Sequence, residues 1–316
     1  MSSPAFQPRG ELKFVRRLRA LLTPPRRGAV PPSVDFGDDM AMLTPGPPAL
    51  LWTTDMLMDG VDFDSAVHSW PAIGRKAMAV NLSDCAAMAV VPVAALCAVS
   101  LSNALTMENA LDLLRGAHEC GVRFGCPIVG GDTNSWDAPT VISITVAARA
   151  VPDRDPVRRD GARPGDRIWL TGRVGGSFLG RHMDVQPRLE AALEISRTLR
   201  PHAMIDISDG LALDLSRVLE ASGCGAALDQ AALEAAVHAD AVRLSEKDGL
   251  SPREHALYDG EDFELIAVLS PDADERQCER LNLLPIGRTT AEPGLVLMDA
   301  AGGRSPIPVR GWEHFR

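Results

Sequence analysis

The chain has 316 residues, with 32 Lys or Arg against 42 Asp or Glu, so its formal net charge is −10. This surplus of negative charge argues against nonspecific binding to nucleic acid and against binding to an anionic membrane surface. The apolar fraction of 46% is that of an ordinary globular protein, and the length favours two domains.

Apolar spacing in the first half predicts closely mixed helices and strands. The helices are expected over 11–22, 73–90 and 107–120, and the strands over 49–53, 93–101, 127–129 and 140–150. The stretch 151–166 combines three prolines, two glycines and alternating charges, a composition typical of a linker. We therefore expect an N-terminal domain over 1–150 and a C-terminal domain over 151–316.

The second half continues the mixture of strands and helices. Its strands are expected over 167–170, 203–207, 264–269, 284–287 and 295–298, and its helices over 189–199 and 211–221. This alternation predicts an α/β (α+β) protein built from two domains of the same class.

Export and membrane insertion are not indicated. The six cysteines include no C-x-x-C pair and no zinc-site spacing with histidine. The N-terminus has no apolar signal segment, and the most apolar stretch, 86–101, is interrupted by Pro92 and too short to span a bilayer. We therefore expect reduced thiols, no membrane partner and a cytoplasmic location.

Carboxylates are placed unusually along the chain. Seven aspartates and no Lys, Arg or Glu occur over 35–64, namely Asp35, Asp38, Asp39, Asp55, Asp59, Asp62 and Asp64. Three later segments share this character: Asn81-Leu82-Ser83-Asp84, Gly130-Gly131-Asp132-Thr133 and Asp206-Ile207-Ser208-Asp209-Gly210. In several of them a predicted strand runs directly into an aspartate.

Aspartates at the ends of neighbouring strands can converge on one crevice, where several carboxylates repel each other and need a compensating cation. Mg²⁺ prefers oxygen ligands and is commonly shared with substrate phosphates. The alternative is that each segment is only a turn, since Gly-Asp-Asp and Ser-Asp-Gly are common turn sequences. The repetition of the pattern favours a magnesium and phosphate site.

Other phosphate-binding signatures are missing from the sequence. It contains no G-x-x-x-x-G-K-[ST] loop and no protein-kinase catalytic loop. The glycine-rich segment 171–176 is either an anion-binding loop or a plain turn. Lys76 either reaches a phosphate or, as its helical setting favours, lies on a helix surface.

The ordered motifs resemble the thiamine-monophosphate kinase family over nearly the whole chain. The resemblance is carried by the following motifs, in chain order: Gly37-Asp38-Asp39, Thr54-Asp55-Met56-Leu57, Gly74-Arg75-Lys76-Ala77, Asn81-Leu82-Ser83-Asp84 with Ala86-Ala87-Met88, Gly130-Gly131-Asp132-Thr133, Asp206-Ile207-Ser208-Asp209-Gly210-Leu211, Gly260-Glu261-Asp262 and the terminal Gly311-Trp312-Glu313-His314-Phe315. That family belongs to a superfamily with aminoimidazole ribonucleotide synthetase and selenophosphate synthetase.

The resemblance implies a two-domain PurM-like fold and a homodimer in which the N-terminal sheets pair into a barrel. It implies that ATP phosphorylates thiamine phosphate to thiamine diphosphate by direct in-line transfer, with several Mg²⁺ ions and no catalytic side chain. By match to family motifs, the expected metal ligands are Asp39, Thr53, Thr54, Asp55, Asp84, Asp132, Asp206 and Asp209. The expected ATP contacts are Gly131, Asp132, Arg149 and Ser208, and the expected substrate contacts are Asp62, Glu261 and Trp312.

Some residues depart from the family pattern on the acceptor side. Asp62 stands where the family usually has histidine, Asp259 where glycine is usual, and the segment 180–189 is short. Two alternatives therefore stay open: an ATP-dependent enzyme of the same superfamily with another small-molecule acceptor, and a non-catalytic nucleotide-binding paralogue.

Overall fold

The structure is a computed structural model that describes residues 40–43 and 50–313. The helix predicted over 11–22 and the expected metal ligand Asp39 lie outside the described residues. The described chain folds into two sheets with helices packed on them, which confirms the predicted α/β class. None of the helices in this described part has the length and apolar content needed to cross a membrane.

The first sheet has five strands in the order β1-β2-β5-β3-β4. The strands are β1 (Ala41–Leu43), β2 (Leu50–Met58), β3 (Val91–Ser102), β4 (Ile128–Trp136) and β5 (Val141–Arg149). All neighbouring pairs are antiparallel except β3 and β4, which are parallel and are joined by the crossover helix α2 (Met107–Arg123).

One face of this sheet is covered and the other is exposed. Along β2, Leu51, Thr53 and Leu57 are buried, whereas the alternate residues Trp52 and Met56 are exposed. Alternation with a period of two sends successive side chains to opposite faces of a strand. The covered face packs against α1 (Trp70–Ala87), which follows β2, and against α2.

The helices α1 and α2 pack closely because of a glycine. A Cβ added at Gly74 would lie 1.9 Å from the backbone oxygen of Leu113, so no larger residue fits there without moving α2. Helix α1 also contacts α3 (Leu189–Thr198) and β7 (Ala203–Asp206) of the second half. It is therefore the element that joins the two halves.

The second sheet has seven strands in the order β12-β11-β8-β10-β6-β9-β7. Its other strands are β6 (Arg167–Leu170), β8 (Gly225–Asp229), β9 (Leu265–Leu269), β10 (Leu284–Thr290), β11 (Leu295–Met298) and β12 (Arg304–Pro306). Only the pair of β8 and β11 is parallel among these strands. The remaining helices are α4 (Leu211–Ser222), α5 (Gln230–Ala235), α6 (Ala239–Asp248), α7 (Pro252–Tyr258) and α8 (Glu275–Arg280).

Strand β9 shows how the second sheet is buried on both faces. Leu265, Ala267 and Leu269 belong to one buried cluster, whereas Ile266 and Val268 belong to the other. The first cluster continues into the residues beneath the first sheet, so one apolar core crosses both halves. Burial on both faces explains why β9 is a continuous apolar run.

The predicted elements and the observed ones differ mainly in extent. β2 continues to Met58 and β4 to Trp136, so Asp55 and Asp132 lie within strands and only Asp206 ends its strand. The analysis of the sequence missed β1, β8, β12 and the four short helices α5 to α8. Strand β8 lacks β-branched residues, and helices of six to ten residues show too little periodicity to detect.

Candidate active site

A cavity of about 550 Å³ lies between the two halves. It is lined by the end of β2 and the following loop, by α1, and by loops of the second half. Eight of the expected metal, ATP and substrate contacts line it: Asp55, Asp62, Asp84, Asp206, Ser208, Asp209, Glu261 and Trp312. The cavity is therefore the candidate active site.

Helix α1 organises the carboxylates at one end of the cavity. The Thr53 hydroxyl donates a hydrogen bond to the Asp84 carboxylate, and the Asp55 N–H donates to Asn81 Oδ1 at 3.1 Å. One turn of helix thus fixes two aspartates that are far apart in sequence. We call Asp55, Asp84, Asp206 and Asp209 the carboxylate end of the cavity.

Asp206 and Asp209 reach this end from the second half. Asp206 ends β7, and Asp209 forms an ion pair of 2.6 Å with Arg217 on α4. The buried Asp214 accepts the backbone N–H groups of Asp209 at 2.9 Å and Gly210 at 3.1 Å. Asp214 and Arg217 therefore fix the turn, and the sequence analysis did not single out either residue.

At the opposite end, Lys76 lies buried in α1 with no exposed surface. The preference for a helix-surface position was wrong. Its ammonium donates to the Asp62 carbonyl oxygen at 2.6 Å and to both Glu261 carboxylate oxygens at 2.9 Å. The three ammonium hydrogens match these three acceptors, so oxygens of the chain itself engage the whole ammonium group. We call Asp62, Lys76 and Glu261 the acceptor end, because Asp62 and Glu261 are the residues expected to contact the small-molecule acceptor.

Glu261 has an unusual backbone as well as a partly buried carboxylate. Its φ of 51° lies in the left-handed region, and its N–H donates to the Ser208 carbonyl oxygen at 2.7 Å. Burial raises the pKa of the Glu261 carboxyl, and the adjacent Lys76 acts in the opposite direction. Strained backbone held by surrounding contacts is common where a side chain must be positioned for function.

Two backbone N–H groups of the glycine-rich segment 171–176 are engaged by carboxylates of the chain itself. Gly175 N–H donates to Asp262 Oδ2 and Gly176 N–H to Asp259 Oδ2, each at 2.8 Å. Asp259, the departure from the family glycine, also accepts from His255 Nδ1 at 2.9 Å. Segment 171–176 therefore acts as a turn that two carboxylates of this chain hold in place.

An aromatic cluster that the sequence analysis did not predict lines the acceptor end. His68 and His182 meet edge to face with ring centroids 5.8 Å apart, and Phe178 is tilted against His182 at 5.5 Å. Phe178 is 51% exposed and faces the cavity. Burial lowers the pKa of His182, which favours its neutral form.

Five predicted site residues are not part of the cavity lining: Thr53, Thr54, Gly131, Asp132 and Arg149. Thr53 lies beside the cavity, because its hydroxyl contacts the lining residue Asp84. Thr54 projects to the exposed face of the first sheet, where its hydroxyl lies 2.9 Å from that of Thr145. Asp132 is in register with Ala98 of β3, and through β5 with Met56 of β2. Three strand spacings put its backbone roughly 14 Å from β2.

The donor chemistry of the cavity suits magnesium with phosphates. Eight carboxylates line its described part, against one lysine that Glu261 neutralises. Among residues 40–43 and 50–313, no three His, Cys, Asp or Glu side chains are grouped as preformed metal ligands. Since Mg²⁺ keeps several waters and commonly takes one or two carboxylates plus substrate phosphates, these oxygens fit ions that bind together with a nucleotide.

Comparison with family models gives two matches. Residues 37–150 match the N-terminal domain of AIR synthase related protein, and residues 163–300 match its C-terminal domain. Together these matches cover most of the chain. The segment between them contains no helix or strand.

Curated relatives and solved structures agree with these matches. A thiamine-monophosphate kinase of Rhodopirellula baltica is 42% identical over 76% of this chain and 77% of its own length. A thiamine-monophosphate kinase of Methanospirillum hungatei is 35% identical over 88% of this chain and 92% of its own length. A structure described as AaThiL complexed with AMPPCP and TMP covers 100% of both chains, with 26% identity and a TM-score of 0.84.

Proposed function

Because the chain belongs to the thiamine-monophosphate kinase family, we propose that it transfers the terminal phosphate of ATP to thiamine phosphate, giving thiamine diphosphate and ADP. The observation that carries the proposal is the cavity between the halves, whose carboxylates and aromatic side chains suit both substrates. The AaThiL complex with an ATP analogue and TMP, which matches over the whole chain, supports it.

The two ends of the cavity suggest how the substrates are arranged. Lys76 and Asp84 are eight residues apart on α1, which is about 12 Å along the helix. We assign the nucleotide phosphates to the carboxylate end and the thiamine part of the acceptor to the acceptor end. The acceptor phosphate then lies between them, where it can meet the terminal phosphate of ATP.

We assign magnesium binding to Thr53, Asp55, Asp84, Asp206 and Asp209, with Ser208 contacting ATP. Bound Mg²⁺ would neutralise the negative charge that develops on the phosphates during transfer. Of the other expected ligands, Asp39 lies outside the described residues, and Thr54 and Asp132 lie on the exposed face of the first sheet. The hydrogen bonds from Thr53 and Ser83 would keep Asp84 and Asp206 oriented for this role.

The transfer needs no strong base. A terminal oxygen of thiamine phosphate is already anionic, so it attacks the γ-phosphorus as the bond to the ADP oxygen breaks. The protein then contributes mainly positioning and electrostatic stabilisation. No side chain is assigned as a nucleophile, and no phosphorylated enzyme intermediate forms in the proposed reaction.

Asp62, Glu261 and Trp312 are assigned to the acceptor. The thiazolium ring of thiamine is cationic, so nearby carboxylates attract it, and Trp312 is half-exposed toward the cavity, where it can stack on a ring. Asp62 is partly engaged already, because its Oδ2 accepts the Met58 N–H at 2.7 Å. An aspartate in place of the family histidine is therefore compatible with the same acceptor.

We further propose a homodimer formed through the exposed face of the first sheet. This face carries Trp52, Met56, Met58, Leu96 and Trp136, an apolar surface typical of an interface. Thr54 and Asp132 lie on the same face. In a pair of sheets packed face to face, Gly131, Asp132 and Arg149 would contribute to ATP binding from beside the interface.

The direct test is an ADP-release assay with Mg²⁺-ATP and thiamine phosphate, with the product identified by its mass. We expect ADP and thiamine diphosphate in equal amounts. ADP release with another acceptor but not with thiamine phosphate would instead support the first alternative. Nucleotide binding without turnover on any acceptor would support a binding paralogue.

A further inference from the structure

Lys76 is the one buried lysine among the described residues, and the proposed chemistry assigns it no role. Burying an ammonium group is costly unless it is fully paired. Here the pairing is complete, with acceptors at 2.6, 2.9 and 2.9 Å. A methionine of similar length would fill the same space without that cost. The charge therefore needs an explanation beyond stability.

The residues that accept hydrogen bonds from the Lys76 ammonium belong to different halves of the chain. Asp62 lies in the loop after β2, whereas Glu261 lies in the loop before β9, 185 residues from the lysine. Both residues line the cavity at the acceptor end. One ammonium group thus sets the spacing between two opposite walls of the acceptor pocket.

The backbone of the loop that carries Glu261 is strained and needs contacts that hold it in place. Glu261 and Phe263 have φ values of 51° and 49°, so two non-glycine residues adopt the left-handed region within three positions. Such conformations are energetically unfavourable for non-glycine residues and persist only when surrounding contacts hold them. The ion pair with Lys76 and the hydrogen bond to the Ser208 carbonyl oxygen are contacts of this kind.

We propose that Lys76 is a positioning residue for the phosphoryl acceptor: it holds Glu261 and the Asp62 loop at the spacing that binds the thiamine part of the substrate. The inference rests on the proposed function, since it concerns the acceptor end of the same cavity. Because its three ammonium hydrogens are all engaged by oxygens of the chain, we assign Lys76 no phosphate contact. Its loss therefore weakens acceptor binding and leaves nucleotide binding nearly unchanged.

The test compares KM for thiamine phosphate with KM for ATP in the full-length protein. We expect Lys76→Met to raise KM for thiamine phosphate by about tenfold or more and to change KM for ATP by less than about twofold. Lys76→Arg keeps the positive charge but replaces the compact ammonium with a larger planar guanidinium. We expect its KM for thiamine phosphate to lie between those of the wild type and Lys76→Met. Lys247→Met, at an exposed lysine of α6, is the matched control and should match the wild type.

A double-variant cycle separates positioning from general destabilisation. We expect Glu261→Gln to raise KM for thiamine phosphate, and the combined Lys76→Met and Glu261→Gln variant to show little further increase, because the pair acts as a unit. The combined variant also buries no uncompensated charge. It therefore remains a usable test if Lys76→Met alone does not fold.

Several results would overturn the inference. These are an equal rise in both KM values, a lower kcat with KM for thiamine phosphate unchanged, and fully additive effects in the double-variant cycle. Failure of the proposed function looks different, because the wild-type protein would then form no thiamine diphosphate at all. That result would overturn both proposals. If the wild type is active but Lys76→Met changes KM for thiamine phosphate and KM for ATP equally, only the role of Lys76 is overturned.

Discussion

The hydroxyl of Ser83 donates a hydrogen bond to the carboxylate of Asp206 at 2.5 Å, and both residues are buried. Ser83 lies on α1, beside Asp84, whereas Asp206 ends β7 in the other half. The bond thus aligns a carboxylate of the second half with those of the first. It therefore fixes the position of Asp206 relative to the other carboxylates of this end before substrate binds.

Replacing this serine should therefore impair turnover more than folding. We expect Ser83→Ala to lower kcat by roughly tenfold, while the loss of one donor to a buried carboxylate lowers the free energy of unfolding by about 1–3 kcal/mol. Steady-state kinetics and urea unfolding of the same preparation check both values. Unchanged kcat in a folded variant would contradict a positioning role for this bond.

Removing one charge from the carboxylate end should nearly abolish the reaction. We expect Asp55→Asn and Asp84→Asn to lower kcat by at least about 100-fold, because an amide binds Mg²⁺ and its phosphates more weakly. Asp112→Asn, at a residue that pairs with Arg115 on α2, is the matched control. Near wild-type turnover in either cavity variant would refute the metal assignment.

The aromatic cluster should matter for the acceptor. We expect Phe178→Ala to raise KM for thiamine phosphate by about five- to tenfold, since an aromatic pair contributes about 0.5–1.5 kcal/mol beyond its area. KM for ATP should stay the same. Leu179→Ala, at the neighbouring residue, is the control because Leu179 does not line the cavity. An equal effect of the two variants would contradict the assignment.

The exposed sheet face should govern assembly. We expect the wild-type protein to sediment as a dimer and Leu96→Glu to sediment as a monomer, because the glutamate would be buried without a partner at the interface. Val242→Glu adds the same charge to an exposed position of α6 and should leave the dimer intact. Analytical ultracentrifugation distinguishes these outcomes. A dimeric Leu96→Glu variant would show that association uses another surface.

The buried Asp262 should leave a signature in the pH dependence of stability. Burial raises the pKa of its carboxyl from 3.8 to about 7, although it accepts the Gly175 N–H and pairs with Arg181 at 3.0 Å. Between pH 3.8 and about 7, the native state therefore holds a proton on this carboxyl that the unfolded chain releases. This contribution to stability is complete below pH 3.8 and is lost as the pH rises through 7.

Asp262→Asn removes the titrating group while keeping its shape. We expect the wild type to lose stability relative to this variant as the pH rises from 4 to 8, with a slope of at most about 1.4 kcal/mol per pH unit. Urea unfolding of both proteins across this range measures the difference. Parallel curves would show that the Asp262 pKa is not raised in the folded protein.

Short-range patterns led directly from the sequence to the carboxylate end. Asp55, Asp84 and Asp206 each follow or lie within an apolar run, and the regular geometry of strands and helices brings such positions together. The contacts of Lys76 could not be predicted in this way, because its carboxylate partner is 185 residues distant. The hydrogen bond from the Gly175 N–H to Asp262 was not predictable either, because these residues are 87 positions apart.

Strand length decided where Asp132 lies. A strand ending at residue 129 would have put this aspartate in a loop with freedom to approach the others. Because β4 continues to Trp136, pairing with β3 fixes its side chain on the exposed face of the first sheet. Sequence periodicity is weak in this glycine-containing strand, so its length was not predictable.

The apolar core that continues from beneath the first sheet into the second makes the two halves dependent on each other. A fragment ending near residue 150 would leave the side of α1 that meets α3 and β7 open to water, with Lys76 lacking Glu261. We therefore expect the described chain to unfold in a single cooperative transition and separately produced halves to be insoluble alone. Proteolytic cleavage in the connecting segment 151–166 should yield two pieces that stay associated.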